Sequence, residues 1–262
     1  MKESFTLLHG DCLDLLQSLP DASVDMIAAD LPYGTTACKW DSVIPFEPLW
    51  AQYRRVLKPR AAAVLTASQP FTSALVVSNL KGFRYQWVWQ KERPSNPQLA
   101  KLQPLKVHED VLVFSAESPR YFPQGLREIP ESDRRVHRPE RNSLGHCKRK
   151  PYTQTHTGYP KSIQAFASER GLHPTQKPVA LMEYLIRTYT CPGDTVLDNC
   201  MGSGTTGVAA MNTGRRFVGM EREAEYFEIA RSRIELAAQR AAGQAPSDAL
   251  RLLDADALQR AG

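Results

Sequence analysis

From the N-terminus, short apolar runs alternate with stretches whose apolar residues recur every three or four positions. Phe5 to Leu8 predicts a strand, Asp11 to Ser18 a short helix, and Val24 to Ala29 a buried strand that stops at Asp30. A turn-rich stretch, Leu31 to Pro45, comes next. Phe46 to Leu57 predicts a helix ending before Pro59, Ala61 to Thr66 a strand, and Pro70 to Asn79 a helix with Pro in its first turn. Tyr85 to Trp89 and Val111 to Phe114 read as two more strands. The pattern then lapses and returns at Pro178. Val179 to Tyr189 predicts a helix, Thr195 to Leu197 a strand ending at Asp198, and Gly204 to Asn212 a helix. Arg216 to Met220 predicts a strand ending at Glu221, and Glu223 to Arg240 the last helix. Strands alternating with helices imply crossover units, hence an α/β fold with a central, mostly parallel sheet covered on both faces.

Composition sets limits on this picture. With 262 residues, 42% hydrophobic and 23% charged, there is room for one large domain with an insertion or two small ones. No stretch approaches the roughly 18 apolar residues of a membrane span, and the first residues lack a secretory signal pattern; a cytoplasmic protein is expected. The cysteines (Cys12, Cys38, Cys147, Cys191, Cys200) are scattered and never paired as C-x-x-C. They read as reduced thiols. His108, His137, His146 and His156 lack ligand spacing, so no metal is expected. Trp40, Trp87 and Trp89 are expected in the core or a ligand wall.

Charge becomes informative once it is located. The net value is +5, but the segment from Arg120 to Lys161 alone carries ten basic and four acidic residues, leaving −1 for the rest. That segment is also rich in Pro, Gly and polar residues. It is either a solvated loop or a surface for a polyanion, because clustered Lys and Arg displace counterions from phosphates. On the second reading Arg134, Arg135, Arg138, Arg141, Lys148, Arg149 and Lys150 are the nucleic-acid contacts.

Between a predicted strand and a predicted helix lies Asp198-Asn199-Cys200-Met201-Gly202-Ser203-Gly204-Thr205-Thr206-Gly207, which contains G-x-G-x-x-G. Glu221 lies 19 residues beyond Gly202, at the end of the next strand. Such a loop lets a ligand approach the backbone closely, with a carboxylate placed for ribose hydroxyls, so a nucleotide or nucleoside ligand is expected. Only 55 residues follow Gly207, too few for the strands of a nicotinamide-binding domain. An NAD-dependent dehydrogenase therefore loses ground, and the sheet must be completed by N-terminal strands in a circularly permuted order.

A second constellation, Asp30-Leu31-Pro32-Tyr33-Gly34, ends the buried strand where open α/β sheets place their active sites. Its carboxylate and the Leu31 carbonyl can accept hydrogen bonds from a planar amine while the Tyr33 ring stacks on the heterocycle. A plain strand-terminating turn has the same residues, so the motif gains meaning only beside the glycine loop.

Taken together, these segments resemble the S-adenosylmethionine-dependent DNA amino-methyltransferases of the permuted beta class, over about Leu8 to Ala230. Asp30-Leu31-Pro32-Tyr33 is similar to the catalytic D-P-P-Y, with Leu31 in place of Pro. Asp198 to Thr206 is similar to the cofactor loop D-P-F-x-G-S-G-T, with Asn199 and Cys200 in place of Pro and Phe. His173-Pro174-Thr175-Gln176-Lys177-Pro178 resembles H-P-T-x-K-P, and Gly10-Asp11-Cys12 the early segment at the cofactor adenine. The resemblance implies a Rossmann-like methyltransferase fold with S-adenosyl-L-methionine held by Asp11, Cys12, His173, Thr175, Lys177, Asp198, Cys200, Gly202, Ser203, Gly204, Thr205, Thr206 and Glu221. It also implies a division into a catalytic half (1–115), a basic target-recognition insertion (116–170), a cofactor half (171–242) and a tail (243–262).

Further expectations follow from the resemblance. Double-stranded DNA is the implied partner, with a homodimer and a separate restriction endonuclease left open. Asp in the first motif position points to adenine N6 as target, with cytosine N4 as the alternative and a catalytically silent DNA-binding relative as a third reading. Leu31 preserves the carbonyl that the chemistry uses. Cys200 replaces a ring that packs on the methionine part of the cofactor.

Overall fold

Strand Val24–Asp30 is almost continuously apolar because it is covered on both faces. Met26 and Ala28 join one core layer and Ile27 and Ala29 the other, the period-two alternation of a strand between two helical layers. The computed structural model describes residues 4–35, 41–137, 151–169 and 176–243. Among these the elements run β1 (Phe5–His9), α1 (Cys12–Leu16), β2 (Val24–Asp30), α2 (Phe46–Val56), β3 (Leu57–Ala67), α3 (Phe71–Ser78), β4 (Phe83–Gln90) and β5 (His108–Phe114). The short strands β6 (Arg127–Glu128), β7 (Val136–His137), β8 (Tyr152–Thr153), β9 (His156–Thr157) and β10 (Ile163–Ala165) follow. Last come α4 (Val179–Tyr189), β11 (Thr195–Asp198), α5 (Thr205–Asn212), β12 (Arg216–Glu221) and α6 (Ala224–Ala241).

Two compact units result: Met1–Phe122 with Ser162–Gly262, and Pro123–Lys161. The larger holds an eight-stranded sheet in the order β1-β12-β11-β2-β3-β5-β4-β10. One layer of its core packs α4, α5 and α6 on the sheet, through residues such as Leu185, Ala209 and Ile234. The opposite layer packs α1, α2 and α3 through Leu16, Trp50 and Leu75. Trp87 and Trp89 are buried in the first layer, as expected; Trp40 lies outside the described residues.

The sheet is mostly parallel, but β5 runs antiparallel to both neighbours, β3 and β4. Helix α3 carries the chain over from β3 to a parallel β4, whereas residues 91–107 return it directly with no crossover helix, so β5 enters the gap reversed. This reversal brings the first residues of β5 to the edge where β2, β11 and β12 end. Asp30, Asp198 and Glu221 therefore share one rim with Glu109, which pairs in register with Trp89.

In the smaller unit, β6 pairs with β9 and β7 with β8, both antiparallel. Strands of two residues leave no periodic signature, which is why this region reads as patternless. Arg134 ion-pairs with Glu128 at 2.9 Å and donates to the Ile129 carbonyl at 3.1 Å, while Arg135 is exposed. The other basic candidates, Arg138, Arg141, Lys148, Arg149 and Lys150, lie outside the described residues.

Candidate active site

Parallel strands aligned by their ladders deliver their C-terminal residues to one edge, and a cavity of about 1080 Å³ opens there in the larger unit. Asp30, Leu31, Pro32 and Tyr33 line it together with Asp11, Cys12, Lys177, Asp198 to Ser203, Thr205, Thr206 and Glu221. Among the described expected residues of the two motifs, Gly204 alone is set back from the wall, under α6. His173 and Thr175 lie outside the described residues.

The carboxylate of Asp30 is held at both oxygens. Its Oδ1 accepts from the Tyr33 hydroxyl at 2.7 Å and from Thr66 Oγ1 at 2.5 Å, and its Oδ2 accepts from Lys177 Nζ at 2.6 Å. A carboxylate offers about four lone-pair sites, so one direction on Oδ2 is left for a further donor. Thr66 is in place because it is the register partner of Asp30 on β3. The Leu31 side chain is buried, which fixes the carbonyl beside the carboxylate. Beyond Tyr33 the turn is tied down by Asp41, whose carboxylate accepts from the Gly34 and Thr35 amides at 2.8 and 2.9 Å.

Lys177, expected at the cofactor, spends its charge on Asp30 and on Glu109, whose Oε2 is 3.3 Å away. Glu109 in turn pairs with Lys91, whose ammonium lies 4.9 Å from the Trp89 ring centroid. Four charges, one buried and three half-buried, thus alternate in sign along the cavity floor. Burial lowers the Lys177 ammonium, but Asp30 and Glu109 more than offset this and hold it above the ordinary lysine range. Burial likewise raises the Glu109 carboxyl, and the two lysines outweigh it to leave a net lowering. Tyr33 is pushed well above the usual phenol range, first by burial and then by the negative charges of Asp30 and Glu109, so it stays a donor. One face of its ring packs on Phe71, with centroids 5.0 Å apart and planes 23° off parallel.

At the glycine loop, Gly202 and Gly204 take φ of 50° and 82°, a left-handed backbone that favours glycine. A Cβ on Gly204 would stand 2.9 Å from the Ala230 Cα, so the second glycine of the loop also permits α6 to close over it. Glu221 supports the loop from below: Oε2 accepts from the Gly202 amide at 2.9 Å and Oε1 from the Glu223 amide at 2.8 Å. Asp11 caps α1 through the Leu13 amide at 2.8 Å. Arg233 reaches 30 residues back along the chain to the Ser203 carbonyl at 2.6 Å. Cys12 and Cys200 interact through their thiols, which draws Cys12 below the ordinary thiol range and Cys200 well above it.

Asp198 is pushed up to about 7, chiefly by burial, with the Asp30 and Glu221 charges adding to it against hydrogen bonds from Thr206 and the Cys200 amide. A folded value above the unfolded 3.8 means that Asp198 favours the fold at low pH, and that this contribution is lost as pH rises through about 7. A cation bound against it would reverse the penalty.

The sequence reading missed Thr66, Lys91, Glu109, Arg233 and Asp41. Thr66 could have been found by its place at the end of the next predicted strand. Glu109 could not, since its position depends on the reversal of β5.

A mostly parallel sheet whose rim joins a glycine-rich loop to an aspartate–tyrosine motif in one cavity is the frame of an enzyme that brings a cofactor to an acceptor. The chain belongs to the DNA methylase family N6_N4_Mtase, which matches residues 24–232. It is 32% identical over 254 residues to the DNA adenine methyltransferase YhdJ of Escherichia coli (strain K12), covering 90% of this chain and 84% of that protein. It is 30% identical to the type II methyltransferase M2.DpnII of Streptococcus pneumoniae, covering 89% of this chain and 91% of that one. Among solved structures, an M1.HpyAVI–SAM complex superposes with a TM-score of 0.59 at 27% identity, over 87% of this chain and 99% of that one.

Proposed function

We propose that this DNA methyltransferase transfers a methyl group from S-adenosyl-L-methionine to the exocyclic N6 of an adenine turned out of duplex DNA. The observation that carries the reading is the single free lone-pair direction on Asp30 Oδ2, beside the Leu31 carbonyl, in the cavity that also holds the glycine loop. The adenine amine is a weak nucleophile because its lone pair is conjugated with the ring. Accepting its two N–H groups at Asp30 and Leu31 draws the nitrogen toward tetrahedral geometry and aims the lone pair. The base stacks against the Tyr33 ring, which already has Phe71 on one face and the Lys177 ammonium 5.6 Å from its centroid, and this contributes roughly 1–3 kcal/mol toward the cost of flipping.

The residues at the loop fit the cofactor. Glu221 retains lone pairs for ribose hydroxyls after its two backbone bonds, and Asp198 is a buried carboxyl that lacks a cation. When bound, the cofactor supplies an electrophilic methyl on a sulfonium. Its affinity is expected to rise about tenfold between pH 5.5 and 7.0, because Asp198 near 7 must lose its proton to meet the methionine ammonium. Calorimetry across that range checks this; an equally steep rise in Asp198→Asn would remove Asp198 from the cofactor.

Adenine rather than cytosine is favoured by Asp30 in the first motif position and by the YhdJ relative, named an adenine methyltransferase. The test is incubation with unmethylated phage DNA and labelled cofactor, then digestion to nucleosides. Label in N6-methyladenosine is expected; label in N4-methylcytidine would redirect the specificity, and none would support a silent binder. The basic insertion is the target-recognition region on this reading, with Arg135 and its neighbours on phosphates. The type II methyltransferase relative supports a restriction–modification setting, in which cleavage would belong to a separate endonuclease. No helix among the described residues is long and apolar enough to cross a membrane.

A further inference from the structure

The loop of residues 91–107 is built as a finger. Its neck is closed by hydrogen bonds from the Lys91 amide to the Val107 carbonyl (2.8 Å) and from the Ser95 amide to the Lys106 carbonyl (2.9 Å). Asn96, buried in the neck, donates to the Pro104 carbonyl at 3.2 Å and accepts from the Lys106 amide at 2.6 Å. The tip is a 3-10 turn, Pro97–Leu99, extended by bonds from the Leu102 and Gln103 amides to the Leu99 carbonyl at 2.9 and 3.0 Å. A loop so tied keeps its tip in one place.

What the tip presents is apolar. Leu102 is 82% exposed, the highest value among the exposed large hydrophobics of the described residues, and Leu105 and Val107 are 46% and 39% exposed. One exposed leucine is ordinary. Here three apolar side chains alternate with Arg93, Lys101 and Lys106 against a single unpaired acid, Glu92, and both feet of the loop form part of the cavity wall at Arg93 and Lys106. A cationic finger with an apolar end, rooted at the mouth of a site that takes a flipped base, matches what a duplex with a gap in its stack offers: phosphates outside and apolar base faces within.

Resting on the methyltransferase reading, we infer that residues 91–107 enter the DNA and that Leu102 fills the space vacated by the target adenine, with Arg93 and Lys101 on flanking phosphates. The insertion stabilises the flipped state, so its loss reduces flipping without touching the cofactor loop.

The test uses the full chain. Sequencing of the methylated phage DNA gives the recognition site, and a duplex carrying 2-aminopurine at the target position reports flipping by its fluorescence. Leu102→Ala is expected to lose at least about tenfold in the flipping equilibrium, the scale set by an unstacking cost of a few kcal/mol. Cofactor affinity should stay within twofold of wild type, and Leu102→Met should recover most of the signal. On a duplex with an abasic site opposite the target, which needs less unstacking, Leu102→Ala should approach wild-type methylation. Undiminished fluorescence in Leu102→Ala would overturn the proposal, as would a defect equal on the paired and abasic duplexes. Absence of methylated adenine with the wild-type chain would instead strike the functional reading itself.

Discussion

Asp30→Ala is expected to lower methyl transfer at least about 10³-fold, the upper range for removing a preorganised polar group at a reacting centre, while cofactor affinity changes by less than about threefold. The carboxylate stands beside the Leu31 carbonyl at the end of β2, and three of its lone-pair sites are already used to orient it. Its removal leaves Lys177 with Glu109 at 3.3 Å, so the buried ammonium keeps one partner and the fold survives. Glu221 and Asp198 sit on other strands and keep their own contacts. Asp30→Asn provides a second comparison: it retains the shape but turns an N–H₂ toward Lys177 or the amine. Calorimetry with cofactor alone, beside single-turnover methylation, separates the two effects. A matching loss of cofactor binding would move Asp30 out of the catalytic role.

Lys177→Met should act on stability and rate together. The lysine side chain is 7% exposed and lies between Asp30 and Glu109, at 26% and 13%. Deleting the cation leaves Asp30 with no ion partner and Glu109 with Lys91 alone; with Asp30 partly exposed, the cost falls at or below the lower end of the about 3–5 kcal/mol for breaking a buried pair. In a chain of this size that corresponds to a fall in Tm of at most roughly 10 °C. At a temperature where the variant is still folded, kcat is expected to drop about 10²-fold because Asp30 Oδ2 loses the contact that orients it, with the DNA KM little changed. A variant with wild-type kcat would show that Thr66 and Tyr33 suffice to aim the carboxylate.

How far the sequence disclosed this site follows from strand physics. Strands β2, β11 and β12 are buried on both faces and read as apolar runs with abrupt polar ends, so Asp30, Asp198 and Glu221 were visible as rim residues. The glycines announced the loop because φ values of 50° and 82° exclude most other residues. The run Val111 to Phe114 carries no information on strand direction, and Glu109 owes its position to that direction alone. Lys177 was visible in a motif, yet its partners Asp30 and Glu109 come from β2 and β5, and one of them depends on the reversal of β5. Arg233 lies on a helix surface where arginine is commonplace, and nothing in its spacing signals a bond to Ser203.

The ladder between β1 and β12 joins Phe5 to Phe217, and that between β2 and β11 joins Met26 to Val196. A ribosome therefore releases the catalytic motif and its neighbour β3 long before β11, the strand on the other side of β2, and β1 waits without a neighbour until residue 221 has emerged. Because non-local pairing must be complete before its loop-closure entropy is offset, the Asp30 rim and the glycine loop assemble in one late event. Nascent chains that carry the first motif but not the last have no half-built catalyst to act on DNA, and the unpaired edges of such chains are where chaperones have most to protect.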